Sequence, residues 1–346
     1  MDGKYLTPQM RVSSAFTLAG AACVFITYWK APKLHKQIYV RLVVNATICS
    51  GCAAVAFMEG PHIANDSFAC WFQGLVANYF TLASVFWTVA VTHQLYALIH
   101  DPNLSLAGGA VGNGWICSSV CWGLPLLCTL LPLMTNDYGK YKDQGLCFVS
   151  NRSDSPSWGI AVWTFGALYG WVWASILSIL GMLASIVLHL RSQSHGAGSA
   201  VTGLVNIVAA YPLTLVLCWS FHTAHRLVEL FELGEVPEIV VILGNVLPIL
   251  QGFFYAAVLM STNRDFRASF LALLGMGPRA GAAEGLVLST LSGQERSDAP
   301  SPDCDTADRP TSTSTAERGL GFTGRMSDVT DTFVDDMRPT NFSDIA

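Results

Sequence analysis

The sequence predicts an all-α membrane protein, a bundle of seven transmembrane helices followed by a short amphipathic helix and a disordered tail. Three observations lead to this prediction. Of 346 residues, 52% are hydrophobic and only 12% are charged, against about 25% charged in soluble proteins. Apolar stretches of about 20 residues, each long enough to cross a hydrocarbon core of about 30 Å, recur along the first three quarters. Residues 278–346 carry 12 of the 24 acidic and 6 of the 19 basic side chains, so the acidity belongs to the tail.

Seven apolar runs, bounded by charges or by clusters of Gly, Pro and Asn, define the predicted helices. They are residues 10–29, 38–58, 71–100, 114–134, 158–190, 201–225 and 239–260. The first run lacks the basic start and the small-residue cleavage pattern of a signal peptide, so it counts as a helix. The bundle therefore extends over residues 10–262 and follows a short extracellular N-terminus, residues 1–9.

A separate amphipathic helix is predicted at residues 263–275. Its apolar and basic side chains fall on different faces, with Phe266, Phe270 and Leu274 on one and Arg264 and Arg267 on another. That separation is typical of a helix that lies on a membrane surface. A simple extension of the seventh span is the alternative.

The acidic tail, residues 276–346, is rich in Ser, Thr, Asp and Pro. Such a segment buries too little apolar surface to offset the entropy of ordering, so we expect disorder. Its hydroxyl groups among acids are candidate phosphorylation sites: Thr311, Ser312, Thr313, Ser314, Thr315, Ser327, Thr330 and Thr332. Each phosphate added by a kinase contributes about -1.5 to -2 charges. Such a charged cluster suits capture by an arrestin-like partner. A merely solvated tether is the alternative.

Seven crossings place the two termini on opposite sides of the membrane. With the N-terminus outside, seven basic residues near the spans face the cytoplasm and six face outward, so the positive-inside rule favours this orientation narrowly. The inward set is Lys30, Lys33, Lys36, Arg41, Arg191, Arg264 and Arg267. The glycosylation tripeptides at Asn65 and Asn151 then face outward, whereas the one at Asn103 faces inward. We therefore expect a multi-pass plasma-membrane protein with a cytoplasmic C-terminus.

Two of the ten cysteines differ from the rest in position. Seven lie within apolar spans, where free thiols behave as small hydrophobes. Cys70, at the outer start of the third span, and Cys147, between the fourth and fifth, lie on the same side in any seven-span topology. Because the outer side is oxidising, we predict a disulfide between them. Two unpaired thiols are the alternative.

Polar residues inside the spans are candidates for a switch, because such groups generally face the interior of a bundle. His93 lies deep in the third span, and Arg41 and Asn45 lie one turn apart in the second. We expect these three to form an activation lock, although a structural hydrogen bond is the simpler role for His93. Pro212 removes a backbone hydrogen bond in the sixth span and is the candidate hinge.

Several classes of function find no support among the residues. The sequence has no Gly-rich phosphate loop, no His-Glu-x-x-His motif and no paired carboxylates in a span, so we predict neither an enzyme nor a cofactor. No lysine follows Lys142, which excludes a retinal pigment. His222 and His225 are spaced for a metal, but no further ligand completes the set. No basic patch favours nucleic acid. A secondary transporter and a non-signalling scaffold remain open.

Four motifs resemble those of a known receptor group. They are Phe86-Trp87-Thr88, Trp122-Gly123-Leu124-Pro125, Cys218-Trp219 and Gln251-Gly252-Phe253-Phe254. In this order the chain resembles the cyclic-AMP-receptor-like G-protein-coupled receptors of slime moulds over about residues 10–275. It is also similar to secretin and adhesion receptors, which carry a Trp-Gly-x-Pro and a Gln-Gly-Phe-Phe. About nine residues precede the first span, so we expect no large hormone-binding domain, which favours the slime-mould group.

The resemblance implies an extracellular ligand and a heterotrimeric G protein as partners. It leaves the G-protein surface unassigned, since Leu98-Ile99-His100-Asp101 stands where rhodopsin-type receptors have Asp-Arg-Tyr. We expect electrostatic steering of the G protein by Lys30, Lys33, Lys36, Arg191, Arg264 and Arg267. We also assign Gln251, in the seventh-span motif, to the switch.

Aromatic and polar side chains at the outer ends of the spans are expected to form the ligand pocket, beneath the disulfide-linked loop. The candidates are Trp71, Asn78, Tyr79, Trp158, Trp163, Trp219, His222 and Arg226. Interfacial or packing roles are the alternative for much of this set. The ligand is a small molecule or peptide. Cyclic AMP is not predicted, because outer cations are opposed by acids after the sixth span, Glu229, Glu232, Glu235 and Glu238.

Overall fold

The computed structural model describes residues 6–59, 67–100, 114–134, 138–140, 147–149, 163, 165–193, 199–231, 234 and 236–276. Eight α-helices lie within these ranges. They are α1 (Leu6–Lys30), α2 (Ile38–Glu59), α3 (Phe68–His100), α4 (Gly114–Met134), α5 (Gly170–Gln193), α6 (Ser199–Leu230), α7 (Glu238–Thr262) and α8 (Arg264–Leu273). A 3₁₀ helix, Pro32–Lys36, joins α1 to α2. A two-stranded hairpin of β1 (Tyr138–Lys140) and β2 (Cys147–Val149) follows α4.

The prediction of an all-α membrane protein is confirmed. Six of the helices, α1 to α5 and α7, are long and apolar enough to cross a membrane, and α6 occupies the position of the sixth predicted span. The tail from residue 277 onward and the two sequons at Asn65 and Asn151 lie outside the described residues.

A wider π turn over Phe165–Tyr169 interrupts the fifth predicted run, and α5 begins after it at Gly170. Trp163 is helical, and the predicted start at residue 158 lies outside the described residues. A Cβ at position 170 would lie only 2.7 Å from the carbonyl oxygen of Phe165. A glycine therefore permits the π turn, which the apolar pattern of this run does not signal.

Helices α1, α2 and α7 pack at very short range through glycines. A Cβ on Gly51 of α2 would lie 2.9 Å from Cβ of Ala21 in α1. A Cβ on Gly252 of α7 would lie 2.6 Å from Cβ of Ser50 and 2.8 Å from Cγ2 of Thr17. Small residues allow this backbone approach, which is how helices associate in lipid, where the hydrophobic effect does not drive them together.

The hairpin is fixed to the top of α3 by a disulfide. Cys70 in the first turn of α3 is bonded to Cys147 in β2 with an S–S distance of 2.00 Å, so the predicted bridge is confirmed. The hairpin also lies directly on α3, since a Cβ on Gly74 would lie 2.9 Å from Cδ1 of Tyr138. We call this end of the bundle the disulfide end and the other the α8 end.

The amphipathic helix is separate from α7, as predicted. Asn263 has extended backbone angles (φ -98°, ψ 109°) and ends α7. Its side-chain oxygen accepts a hydrogen bond of 2.8 Å from the backbone N–H of Phe266, an N-cap for α8. The ring of Phe266 is fully buried. The cap and this buried ring turn the chain away from the axis of α7.

Candidate functional site

A cavity opens at the disulfide end between α1, α2, α3, α6 and α7. It encloses about 780 Å³ when the space in its open mouth is included. Most of the lining is apolar or aromatic: Met10, Ala53, Ala54, Phe57, Phe148, Leu168, Trp219, Pro248 and Ile249. Phe148 of the disulfide-linked hairpin lies beside the cavity, so the bridge helps to form its wall.

The polar floor of the cavity begins with two serine hydroxyls. Ser50 of α2 and Ser84 of α3 lie 2.7 Å apart, Oγ to Oγ. Both oxygens also lie 3.1 Å from the carbonyl oxygen of Ala46. The side-chain amide of Gln251 in α7 reaches Ser84 Oγ at 3.4 Å. These contacts join three helices at one depth, where the short Ser50 side chain suits the close approach of Gly252.

Gln251 extends this network to α6 and further down α7. Its Oε1 accepts a hydrogen bond of 3.0 Å from the indole N–H of Trp219, and its Nε2 donates one of 2.8 Å to the hydroxyl of Tyr255. The Tyr255 hydroxyl lies 2.7 Å from Thr88 Oγ1 of α3. A ligand that moves Trp219 therefore acts directly on contacts between four helices.

Three tyrosines continue from this network toward the α8 end. The ring of Tyr211 in α6 lies 5.6 Å from that of Tyr255 and 5.9 Å from that of Tyr39 at the start of α2. All three side chains are buried. Tyr211 directly precedes Pro212, so the candidate hinge lies where α6 packs against α2 and α7.

The mouth of the cavity carries several polar groups. Arg226 is the only Lys or Arg among the described lining residues. His222 stacks on Tyr169 with ring centroids 5.6 Å apart, and its Nδ1 has no hydrogen-bond partner among the described residues. Asn245 of α7 completes the set, with its side-chain amide donating to the carbonyl of Val241 at 2.8 Å. The mouth can therefore donate hydrogen bonds to an anionic or polar group.

Three of the eight predicted pocket residues line the cavity: Trp219, His222 and Arg226. Asn78 is buried, but its amide donates to the Tyr138 hydroxyl at 3.3 Å and supports the hairpin. Tyr138 is buried there and donates to the Thr129 carbonyl at 2.9 Å. Burial raises the pKa of Tyr138 to about 12, so this support is neutral at physiological pH.

The remaining predicted pocket residues lie elsewhere. Trp71 packs edge to face on Phe68 at the outside of α3, and Tyr79 packs between Phe80 and Trp122. Trp163 is half-buried and does not line the cavity, and Trp158 lies outside the described residues. The first two are packing contacts, the alternative that the sequence left open.

Sequence reasoning missed most of the actual lining. The pocket was expected among spans three, five, six and seven, whereas α1 contributes Met10, α2 contributes four residues and the fifth run contributes only Leu168 of its π turn. Small and hydroxyl residues such as Ala53, Ser50 and Ser84 look like ordinary packing residues in a sequence. Gly252, which permits the close approach of α7 to α2, was the one sequence feature that indicated their position.

The expected lock between Arg41, Asn45 and His93 does not form. Arg41 is exposed, and Asn45 is half-buried. His93 is also exposed. It shares a face of α3 with Phe86, seven residues earlier, which packs on Trp171 of α5. Since α2 covers a different face of α3, His93 points away from Arg41.

The predicted cations lie on three segments at the α8 end. Lys30, Lys33 and Lys36 are exposed at the junction of α1 and α2, and Arg264 and Arg267 lie on α8. The side chain of Arg191, at the end of α5, lies outside the described residues. Among those described, no group of three His, Cys, Asp or Glu side chains is arranged to hold a metal ion.

Comparisons with known proteins agree with this architecture. A family model described as slime mold cyclic AMP receptor matches residues 8–274. Cyclic AMP receptor 2 of Dictyostelium discoideum is 21% identical over 270 residues, which cover 74% of this chain and 67% of that protein. Cyclic AMP receptor 1 of the same organism is 22% identical over 260 residues, 71% of this chain and 61% of that protein. The chain thus spans about three fifths to two thirds of these relatives.

Proposed function

This chain belongs to the slime mold cyclic AMP receptor family, and from that membership we propose that it carries an extracellular signal to a heterotrimeric G protein. It is a multi-pass plasma-membrane protein of a receptor family, not of an enzyme family. The observation that carries the finer proposal is the cavity whose floor joins four helices through Gln251. We place the disulfide end outside the cell and the α8 end in the cytoplasm.

The ligand binds in the cavity at the disulfide end. Cyclic AMP is the first ligand to test, because two relatives bear its name. Arg226 and His222 at the mouth supply donors for one anionic group, and the apolar wall suits a flat, weakly polar body. Asn78 supports the hairpin, and in this proposal Trp71 and Tyr79 serve as packing residues.

Activation follows from a movement of α6. Trp219 lies at the cavity and Pro212 lies two turns further toward the α8 end, so a ligand that displaces Trp219 swings the inner part of α6 about Pro212. This motion separates Tyr211 from Tyr39 and Tyr255. Gln251 holds the resting state by bonding Trp219. The switch is therefore Pro212 and Gln251, without Arg41, Asn45 or His93 as a lock.

The G protein binds at the α8 end of the bundle, on α3, α5 and α6. His93 is exposed on the α5 side of α3 and lies in this region. Arg191 at the end of α5 contacts the G protein. Phosphates on Thr311 to Thr315, Ser327, Thr330 and Thr332 recruit an arrestin-like partner after signalling, and Asn65 and Asn151 carry glycans outside.

Guanine-nucleotide exchange on a panel of heterotrimeric G proteins tests this proposal. The receptor is purified in phosphatidylcholine nanodiscs, and exchange is measured with and without cyclic AMP. We expect basal exchange that cyclic AMP raises, and Pro212→Ala should change both rates. No exchange on any G protein by folded receptor, together with solute flux in vesicles, would instead establish a transporter.

A pair of neighbouring substitutions locates the ligand. Ala54 is buried and lines the cavity, whereas Val55 is 52% exposed on the outer surface of the same helix. Ala54→Phe should fill the cavity and abolish the response to cyclic AMP while basal exchange persists. Val55→Phe adds the same ring outside and should respond as wild type. Equal responses from the two variants would place the ligand elsewhere.

A further inference from the structure

The short connection between α1 and α2 presents a row of lysines. Lys30 ends α1, and Lys33 and Lys36 lie on the 3₁₀ helix that follows. All three side chains are exposed, while Leu34 between them is fully buried. The buried leucine fixes the 3₁₀ helix against the bundle, so the lysines form a defined surface and not a loose loop.

The basic face of α8 lies next to this row. Gln37 donates from its amide to Asp265 at 2.9 Å and accepts from the amide of Asn263 at 3.0 Å. These bonds tie the start of α2 to the start of α8. The cations Arg264 and Arg267 thereby join the three lysines on one flank of the bundle, the flank of α1 and α8.

Cations outnumber carboxylates among the described residues of this flank. Among the described residues here, Asp265 is the only carboxylate, and it is engaged by Gln37. Exposed apolar side chains border the cations: Trp29 is 68% exposed, and Leu273, Leu274 and Met276 are 45%, 53% and 64% exposed. A tryptophan beside lysines and an amphipathic helix with apolar edges are typical of the membrane–water interface.

We propose that Lys30, Lys33, Lys36, Arg264 and Arg267 form a binding surface for anionic phospholipid headgroups, which we call the basic flank. Basic clusters next to a transmembrane helix are attracted to the anionic cytoplasmic leaflet. The surface lies on the flank of α1 and α8, whereas the part of α3, α5 and α6 proposed for the G protein lies on another side of the bundle. This position favours lipid over a protein as the occupant.

Lipid retention by the full-length receptor tests this inference. The detergent-purified protein is incubated with equal amounts of phosphatidylserine and phosphatidylcholine, and the retained lipids are counted by native mass spectrometry. Wild type should retain phosphatidylserine preferentially. Replacing the three lysines by Gln should reduce that preference by at least about tenfold, since each cation near the surface contributes roughly a fivefold effect. Arg264→Gln with Arg267→Gln should reduce it similarly.

Two control variants keep the test specific. Replacement of the same three lysines by Arg preserves the charge and should preserve the preference. Arg11→Gln removes an exposed cation at the disulfide end and should leave it unchanged. Undiminished retention of phosphatidylserine in the lysine-to-Gln variant would show that the basic flank does not bind this lipid. An equal loss of retention in Arg11→Gln would show the same.

Nucleotide exchange separates this inference from the proposed function. In pure phosphatidylcholine nanodiscs the lysine-to-Gln variant should exchange nucleotide as wild type does. If that variant retains phosphatidylserine but loses exchange in neutral lipid, the lysines contact the G protein and the lipid surface is wrong. Failure of wild type to exchange at all would refute the receptor mechanism and leave the lipid count unaffected.

Discussion

Two halves of the bundle are held together by different means. The first half, α1, α2 and α7, is joined by short contacts at Gly51 and Gly252, and 67% of the most apolar part of α2 is buried, against 33% in α1 and 39% in α7. In the second half, α4 and α5, the buried share is 28% in each helix, and a Cβ on Gly123 of α4 or Gly181 of α5 would meet nothing within 4 Å. The first half is therefore close-packed at its glycines, whereas these two glycines of the second half face open space.

The first half shapes the cavity. The second half and the adjacent part of α6 are the parts that can move. The close-packed half supplies Ser50 and Gln251 of the cavity floor, so these groups keep fixed positions. The second half is connected to α3 through the hairpin disulfide, and to α6 through side-chain contacts such as the hydrogen bond of 3.1 Å from Trp173 to Thr223. In lipid, such contacts gain little from the hydrophobic effect, so α5 and the adjacent part of α6 can rearrange more easily.

The largest expected effect comes from breaking the covalent tie between the halves. Cys70→Ala with Cys147→Ala opens a loop of 77 residues and should lower the free energy of unfolding by about 2–5 kcal/mol. Thermal unfolding in detergent measures it. Replacing the two half-buried or buried free cysteines Cys52 and Cys128 by Ala is the matched control and should cost clearly less. Equal losses of unfolding free energy in the two variants would mean that the disulfide does not hold the second half in place.

The next effect tests the close packing of α1, α2 and α7. Gly252→Ala should destabilise the receptor by about 2–3 kcal/mol, the upper part of the range for overpacking, because the new Cβ would lie under 3.0 Å from two side-chain carbons. Gly123→Ala and Gly181→Ala carry the same change into open space. They should be neutral or slightly stabilising, since Ala favours a helix over Gly. The thermal midpoints of the three variants decide the comparison.

The sequence predicted the helices better than the site for a physical reason. Transmembrane spans follow from long apolar runs, and Cys70 and Cys147 had no other loop partners on one side of the membrane. Which face of a helix points inward depends on neighbours distant in the chain. His93 was therefore expected inside and lies outside, and the lining by Met10 and Ala53 was not foreseen. The π turn before Gly170 depends on the position of the Phe165 carbonyl oxygen. The pattern of apolar residues in the sequence does not indicate that position.

A smaller effect is expected at Gln251, which links the close-packed half to α6. Gln251→Leu leaves the indole N–H of Trp219 buried without its acceptor, and this should cost about 1–2 kcal/mol. Trp219→Phe alone leaves Oε1 of Gln251 without the hydrogen bond that the indole donates. The double variant removes both partners and should be less destabilised than the sum of the two singles, as in a double-mutant cycle. Additive losses would show that the 3.0 Å contact does not contribute.

The smallest effect should be confined to α8, which lies outside both halves. Asn263 serves α8 in two ways, because its oxygen caps Phe266 and its amide donates to Gln37. Asn263→Ala removes both and should loosen α8 by about 0.5–2 kcal/mol, seen as faster amide exchange over residues 264–273. Asn263→Asp keeps the cap but not the donor, so it should restore most of the protection if the cap dominates. Ser261→Ala, an exposed neighbour on α7, is the control. Phe266 is the one fully buried side chain of α8. The thermal midpoint of the bundle should therefore stay near that of wild type. A large shift would mean that α8 is an integral part of the close-packed half.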